Sequence, residues 1–170
     1  MVKAAIFCLL ASTLSTEVAK AEERRISGTY RNPALGYSMR IPRGLSGIAG
    51  VESGPERGVR ISLPSGGMIS VYGEPNSLEW KRPSDGVQWT LENGECASRR
   101  EGPSLIHIGR IAGAQGRVAC GNAVEITFLA FRPGGGPIYW LLLATSPAHE
   151  STDKVTLEEV AATFRIIRWQ

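Results

Sequence analysis

Hydrophobic and polar positions alternate in short runs along most of this chain, and proline or glycine closes nearly every run. Tyr37, Met39 and Ile41 alternate with Ser38 and Arg40 before Pro42, the pattern of a half-buried strand. Val59, Ile61 and Leu63 alternate with Arg60 and Ser62. Pro64-Ser65-Gly66-Gly67 then leads into Met68 to Tyr72, so residues 59–63 and 68–72 read as a hairpin. Leu105 to Ile111 is a further strand, followed by one around Arg117 to Cys120. Ala123 to Phe131 and Ile138 to Thr145 flank the turn Pro133-Gly134-Gly135-Gly136-Pro137. The near-continuous apolarity of Tyr139 to Leu143 predicts a central strand covered on both faces, with helices as the cover.

The period changes near the C-terminal end. Leu157, Val160, Ala161 and Phe164 fall at i, i+3, i+4 and i+7, one apolar stripe of a helix. Thr156-Leu157-Glu158-Glu159 reads as a capping box at its start. Ile166, Ile167 and Trp169 read as a short terminal strand. Ser84 to Cys96 fits two periods: Val87 and Leu91 share a helical face, with Ser84 or Asp85 as cap, yet Val87, Trp89 and Leu91 also alternate. Helix is the preferred reading. The fold class is therefore α+β, an antiparallel β-sheet flanked by a few helices.

The first twenty-one residues change the picture. Lys3 precedes an apolar run from Ala4 to Leu14, and Ala19-Lys20-Ala21 places small residues where a signal peptidase reads them. Residues 1–21 are expected to be a cleaved signal peptide, and residues 22–170 a single exported globular domain, periplasmic or secreted. Removing Lys3, Lys20 and Glu17 from 19 basic and 16 acidic residues leaves 17 and 15, a net of +2. The basic pairs Arg24-Arg25, Lys81-Arg82 and Arg99-Arg100 are scattered, which argues against nucleic acid as a partner. No later apolar run approaches the ~20 residues that span a bilayer.

Cys8 leaves with the signal segment, and Cys96 and Cys120 remain as an even pair in an oxidising compartment. They are expected to be bridged. A redox role would call for C-x-x-C, which is absent. Two distant cysteines and two histidines make a poor metal site, and no cofactor motif is present.

Two stretches together resemble the PsbP-like family. Tyr30-Arg31-Asn32-Pro33-Ala34-Leu35-Gly36-Tyr37-Ser38-Met39-Arg40-Ile41-Pro42 is similar to its opening, where an aromatic and a turn precede a glycine and a short strand ending in proline. Tyr139 to Ala144, a polar connection, then Val160 to Ile167 is similar to its close, where a helix ends in a Ser/Thr-Phe-Arg-like signature. The two cover about a third of the chain after residue 21. The paired cysteines and the glycine-rich middle depart from that pattern. The resemblance implies an α/β/α sandwich and an adaptor, chaperone or accessory role without common catalytic residues. It carries no site over.

Chemistry is sparse. There is no G-x-S-x-G elbow, and the glycine-rich turn at 133–137 lacks the Lys-Ser/Thr ending of a phosphate loop. His107 lies in a strand and His149 in a polar connection, Ser146 to Asp153, where Ser151, His149 and Asp153 form a weak triad candidate. Glu92 with Glu95, and Glu158 with Glu159, are the carboxylate pairs. Glu125 interrupts the apolar run Val124-Glu125-Ile126. The expected function is binding of another envelope or secreted protein, with Trp80 and Trp89 as contact residues. The alternatives are an envelope-polymer hydrolase using Glu125 or His107, and a small-ligand carrier with an apolar pocket between sheet and helix.

Overall fold

A computed structural model describes residues 24–50, 58–94, 99–132 and 135–167. The segment 1–21, the turn residues 54–57, Glu95, Cys96, Pro133, Gly134 and Trp169 lie outside them. In chain order the elements are β1 (Arg24–Ile26), β2 (Thr29–Asn32), β3 (Tyr37–Arg40), β4 (Gly47–Ala49), β5 (Val59–Ser62), β6 (Met68–Pro75) and α1 (Pro83–Asn93). They continue as β7 (Arg99–Ile108), β8 (Ile111–Cys120), β9 (Ala123–Phe131), β10 (Pro137–Thr145), α2 (Glu150–Thr163) and β11 (Arg165–Ile166).

An eight-stranded antiparallel sheet has the order β1-β4-β5-β6-β10-β9-β8-β7, and a three-stranded sheet the order β11-β3-β2. Both predicted hairpins form: Ile61 pairs with Ile69 in one, and Leu141 with Phe128 in the other. β10 lies near the middle of the large sheet, between β6 and β9, and both of its faces are covered. On one face Tyr139, Leu141 and Leu143 join Ile69, Val71, Ile126 and Phe128 beneath Leu157, Val160 and Phe164 of the α2 region. On the other, Ile138 and Trp140 join Leu129, Ala114 and Val118 beneath Val87 and Leu91 of α1. The result is three layers: α1, the large sheet, then α2 with the small sheet.

The small sheet explains the two family-like stretches, because it pairs them with each other. Arg165 lies opposite Ser38, and Ile166 opposite Tyr37. The Thr163 hydroxyl accepts the Arg40 N–H at 3.0 Å, and the Phe164 ring stacks on Tyr37 with centroids 5.4 Å apart. Tyr139 completes this buried aromatic group, its hydroxyl donating to the Leu35 carbonyl at 3.0 Å. Thr-Phe-Arg is thus a fastening of one end of the domain to the other.

Three sequence expectations need correction. The strand predicted over 105–111 is two strands: β7 ends at Ile108, the chain turns at Gly109-Arg110, and Ile111 opens β8. Gly109 has φ +61, and a Cβ there would lie 2.1 Å from the Phe164 carbonyl oxygen, so glycine is required. The capping box at Thr156 does not start a helix, since α2 begins at Glu150 and Thr156 is in its interior. The polar residues 150–154 are helical because tertiary partners hold them. Asp153, only 4% exposed, accepts from Thr145 and from Ser65, the latter at 2.7 Å. Glu150 takes a bidentate hydrogen bond from Arg117 on β8. In α1 the cap is Arg82, ahead of both predicted caps. Pro83 occupies the first position, and the Asp85 carboxylate accepts the Arg82 N–H at 3.0 Å.

A candidate contact surface around two tryptophans

Trp80 and Trp89, 9 residues apart in the sequence and on different elements, meet in the structure with ring centroids 5.9 Å apart. Trp80 comes from the connection between β6 and α1, and Trp89 from the middle of α1. The helix resolves the ambiguity of the middle segment: Val87 and Leu91 are buried, whereas Trp89 is 47% exposed. Trp80 also packs edge-on to Trp140 at 6.0 Å, and Trp140 stacks near Tyr72 at 6.2 Å. The Trp140 indole N–H donates to Glu74 at 2.6 Å, which fixes the ring beneath Trp80. Burial, with the carboxylates of Glu74 and Glu125 nearby, pushes the Tyr72 phenol well up, so this end of the row stays neutral.

The backbone that presents Trp80 is held at its own two polar groups. The Asn76 side chain accepts the Trp80 N–H at 3.0 Å and donates to the Trp80 carbonyl at 2.8 Å. Between them, Glu79 adopts φ +54, a left-handed conformation that side-chain-bearing residues enter at a cost of about 1 kcal/mol. Leu78, just before it, is 53% exposed. An open groove of about 520 Å³ runs beside the connection, lined by Leu35, Pro75, Asn76, Glu79, Trp80, Lys81, Gly136 and Pro137. Gly86 lets α1 come this close: a Cβ there would meet Leu129 Cδ2 at 2.4 Å and the Trp80 ring at 2.8 Å.

The catalytic candidates do not gather into one site. Glu125 points outward from β9, exposed, opposite Val118 and Ala144. His107 is exposed on β7 and borders a groove of about 360 Å³ with Ile106, Gln115, Phe128, Glu158 and Ala161, walls that hold no hydroxyl or thiol nucleophile. Glu92 accepts from Gln88 at 2.6 Å, and Glu158 pairs with Lys154. His149 and Asp153 do border one cleft, with Ser65 rather than Ser151. The Ser65 hydroxyl donates directly to Asp153, which Thr145 also occupies, and the Ser65 oxygen accepts the Gly67 N–H at 3.1 Å. That arrangement ties the β5–β6 turn to α2 and leaves no base between hydroxyl and carboxylate. Between the large sheet and α2, where a carrier would place its pocket, Tyr37, Tyr139 and Phe164 fill one end, and open grooves remain towards β7 and β8.

Cys120 closes β8, half-buried, while Cys96 lies outside the described residues. Among the described residues no group of three His, Cys, Asp or Glu side chains could hold a metal ion, and no helix is long and apolar enough to cross a membrane. Sequence reasoning missed Asn76, Glu79 and Leu78. The Asn-x-x-x-Trp spacing was the available signal, but an asparagine folding back on a residue four ahead has no periodic signature.

No protein-family model and no curated protein matches the chain. Solved structures do match it in fold. Cyanobacterial PsbP (CyanoP) from Synechocystis superposes with a TM-score of 0.54 at 16% identity, covering 88% of this chain and 95% of that one. LpqN of Mycobacterium tuberculosis, described as involved in cell envelope biogenesis, gives 0.55 at 11%, covering 86% and 91%. The Saccharomyces cerevisiae Ran-binding protein Mog1p gives 0.54 at 10%, covering 86% and 96%. A Bacteroides thetaiotaomicron protein gives 0.52 at 15%, and this chain spans about half of its length, 49%. The fold is PsbP-like, an α+β sandwich.

Proposed function

We propose that this chain is an exported accessory protein of the cell envelope that acts by binding another envelope or secreted protein, not by turnover. The contact surface is the patch of Leu78, Trp80 and Trp89. The observation that carries this reading is the presentation of Trp80. A strained residue and a double hydrogen bond from Asn76 fix a loop whose apolar side chains stand half in solvent. Such fixed aromatics beside polar Glu79 and Lys81 have the make-up of an interface anchor with a polar rim. The conformational cost of binding is reduced because the loop is already ordered.

Export rests on the segment 1–21, and the envelope setting draws support from the likeness to LpqN. A binding role draws support from the likeness to Mog1p. In an oxidising compartment Cys96 and Cys120 form a disulfide. The register supports it: Arg99 lies opposite Ala119, beside Cys120, and Cys96 is three residues before Arg99. Three residues of chain reach about 10 Å, ample for a bridge that needs its Cα atoms within about 6 Å.

The test is affinity capture from an envelope and secreted-protein extract of the source, comparing the wild-type protein with Trp89→Ala and Leu78→Ala. Both side chains are about half exposed, so thermal stability should stay close to wild type. Stoichiometric capture of one protein by the wild type, lost in both variants, is the expected result. Capture that is unchanged in both variants overturns the assignment of the surface.

A further inference from the structure

Basic residues that lie far apart in the sequence meet on the small sheet. Residues 24–50 carry five arginines and no acidic residue. Taking these five from the 17 basic and 15 acidic residues of 22–170 leaves 12 and 15, a net of −3 for the remainder. In the small sheet Ser38 lies opposite Arg31 of β2 on one side and Arg165 of β11 on the other. Arg40, two residues along β3, shares their face and lies opposite Thr29. Tyr30, Tyr37 and Met39 alternate with them onto the buried face. With strands about 4.8 Å apart and residues about 3.4 Å apart along each, the three arginine Cα atoms fall within about 10 Å of one another. All three arginines are exposed, and none forms an ion pair among the described residues. Arg165 is held by Nη1 on the carbonyls of Ala162 and Phe164, at 3.0 and 2.7 Å, which restricts where its charge can go. The outer face of this sheet, made by Thr29, Arg31, Ser38, Arg40 and Arg165, therefore has no carboxylate and no apolar side chain.

We propose that this face docks the protein on a membrane surface rich in anionic phospholipid, with the guanidinium groups hydrogen-bonding lipid phosphates. Charge complementarity selects an anionic partner, and the residue types select its kind. The guanidinium matches phosphate oxygens bidentately and gives up its water more readily than an ammonium does. A protein partner calls for an apolar or aromatic anchor at the centre of its contact, and here Ser38 stands at the centre. A nucleic-acid strand calls for rings that stack on its bases or for an element that enters a groove, and this face offers neither. A small face of one sign, without an anchor to insert, suits the layer of phosphates at a bilayer surface. Trp89 lies on α1, in the outer layer on the other side of the large sheet, so a molecule docked in this way turns that helix away from the lipid. The docking face does not depend on the role of the Trp80–Trp89 patch.

The experiment is cosedimentation of the purified protein with two kinds of vesicle at low ionic strength, then again in added salt. One kind is phosphatidylcholine alone, and the other is equal parts phosphatidylcholine and phosphatidylglycerol. Binding to the anionic vesicles only, reversed by salt, is the expected result. Arg31→Gln and Arg40→Gln should each weaken it about fivefold with an unchanged melting temperature, since neither side chain has an ion pair to lose. Arg99→Gln removes the same charge at the start of β7, on the far edge of the large sheet, and should bind as the wild type does. A protein that ignores the anionic vesicles overturns the proposal. So does binding that Arg31→Gln and Arg40→Gln leave intact, or that Arg99→Gln weakens equally, which would make it an effect of net charge alone. Vesicle binding that depends on Trp89 instead of the arginines would place the lipid on the other side of the molecule and overturn it as well. Tighter binding to soluble polyglutamate than to the anionic vesicles would assign the face to an acidic protein segment, against the proposal.

Discussion

Gly86 and Asp153 show how single residues set the packing of the two helices. In a helix interior alanine is favoured over glycine by about 1 kcal/mol, so propensity alone makes Gly86→Ala stabilising. The 2.4 Å approach to Leu129 reverses the sign. Leu129 is fully buried and Trp80 is clamped, so neither yields freely, and overpacking of this kind costs about 1–3 kcal/mol. Urea denaturation of Gly86→Ala is expected to give a lower midpoint, together with a change in Trp80 fluorescence. Asp153→Ala removes the shared acceptor of Ser65 and Thr145 and leaves the buried Thr145 hydroxyl without it. The expected loss is about 2–3 kcal/mol, read from the same denaturation curve. Neither effect was legible in the sequence. Gly86 sits in an ordinary helical pattern, and Asp153 drew notice only as a triad candidate in a polar connection, not as an anchor for Ser65 and Thr145.

Among the elements, strands and the apolar stripe of α2 were readable because burial imposes a period on them. Tyr37 to Ile41, the two hairpins and Leu157 to Phe164 all follow that rule. The start of α2 was not readable, since it depends on partners distant in sequence, whereas α1 starts on its own Arg82, Pro83 and Asp85. α2 gains its first turn from Glu150, which joins Arg117 on β8 with Nη2 2.7 Å from the carboxylate. Glu150 also sits at the positive end of the helix dipole. The Arg117 hydrogen bonds hold its carboxyl below the usual carboxylate value of 4.5, and raise the Arg117 guanidinium in turn. With the folded value below the unfolded one, this contribution is complete above about pH 4.5 and declines as pH falls through the lowered folded value. Glu150→Gln is expected to flatten the acid side of the stability–pH profile and to leave its slope near neutrality unchanged. Guanidinium denaturation between neutral and acid pH measures both.

For the molecule as a whole, the family-like stretches gave the layered α+β architecture, and the structural likenesses agree with it. For the proposed contact surface the sequence offered Trp80, set between Glu79 and Lys81, and Trp89, in the segment that fits two periods; that the two rings meet depends on the fold. The proposed Cys96–Cys120 bridge closes a loop of about 25 residues, worth about 3 kcal/mol through the unfolded chain. Replacing both cysteines by serine should lower the thermal midpoint by an amount that reducing agent reproduces in the wild type. An unchanged midpoint in both would mean the pair does not bridge.

The fastening of Thr163, Phe164 and Arg165 onto β3 has a consequence in time. β6 gains its second partner only with β10, and β3 only with β11, the last of the described elements. A ribosome delivering the protein from its N-terminal end therefore releases β3 with β2 beside it but long before its second partner exists. The cover over Tyr37, Met39 and Ile41 stays incomplete until residues 160–166 emerge. A chain built this way closes its core only once its C-terminal half has been delivered.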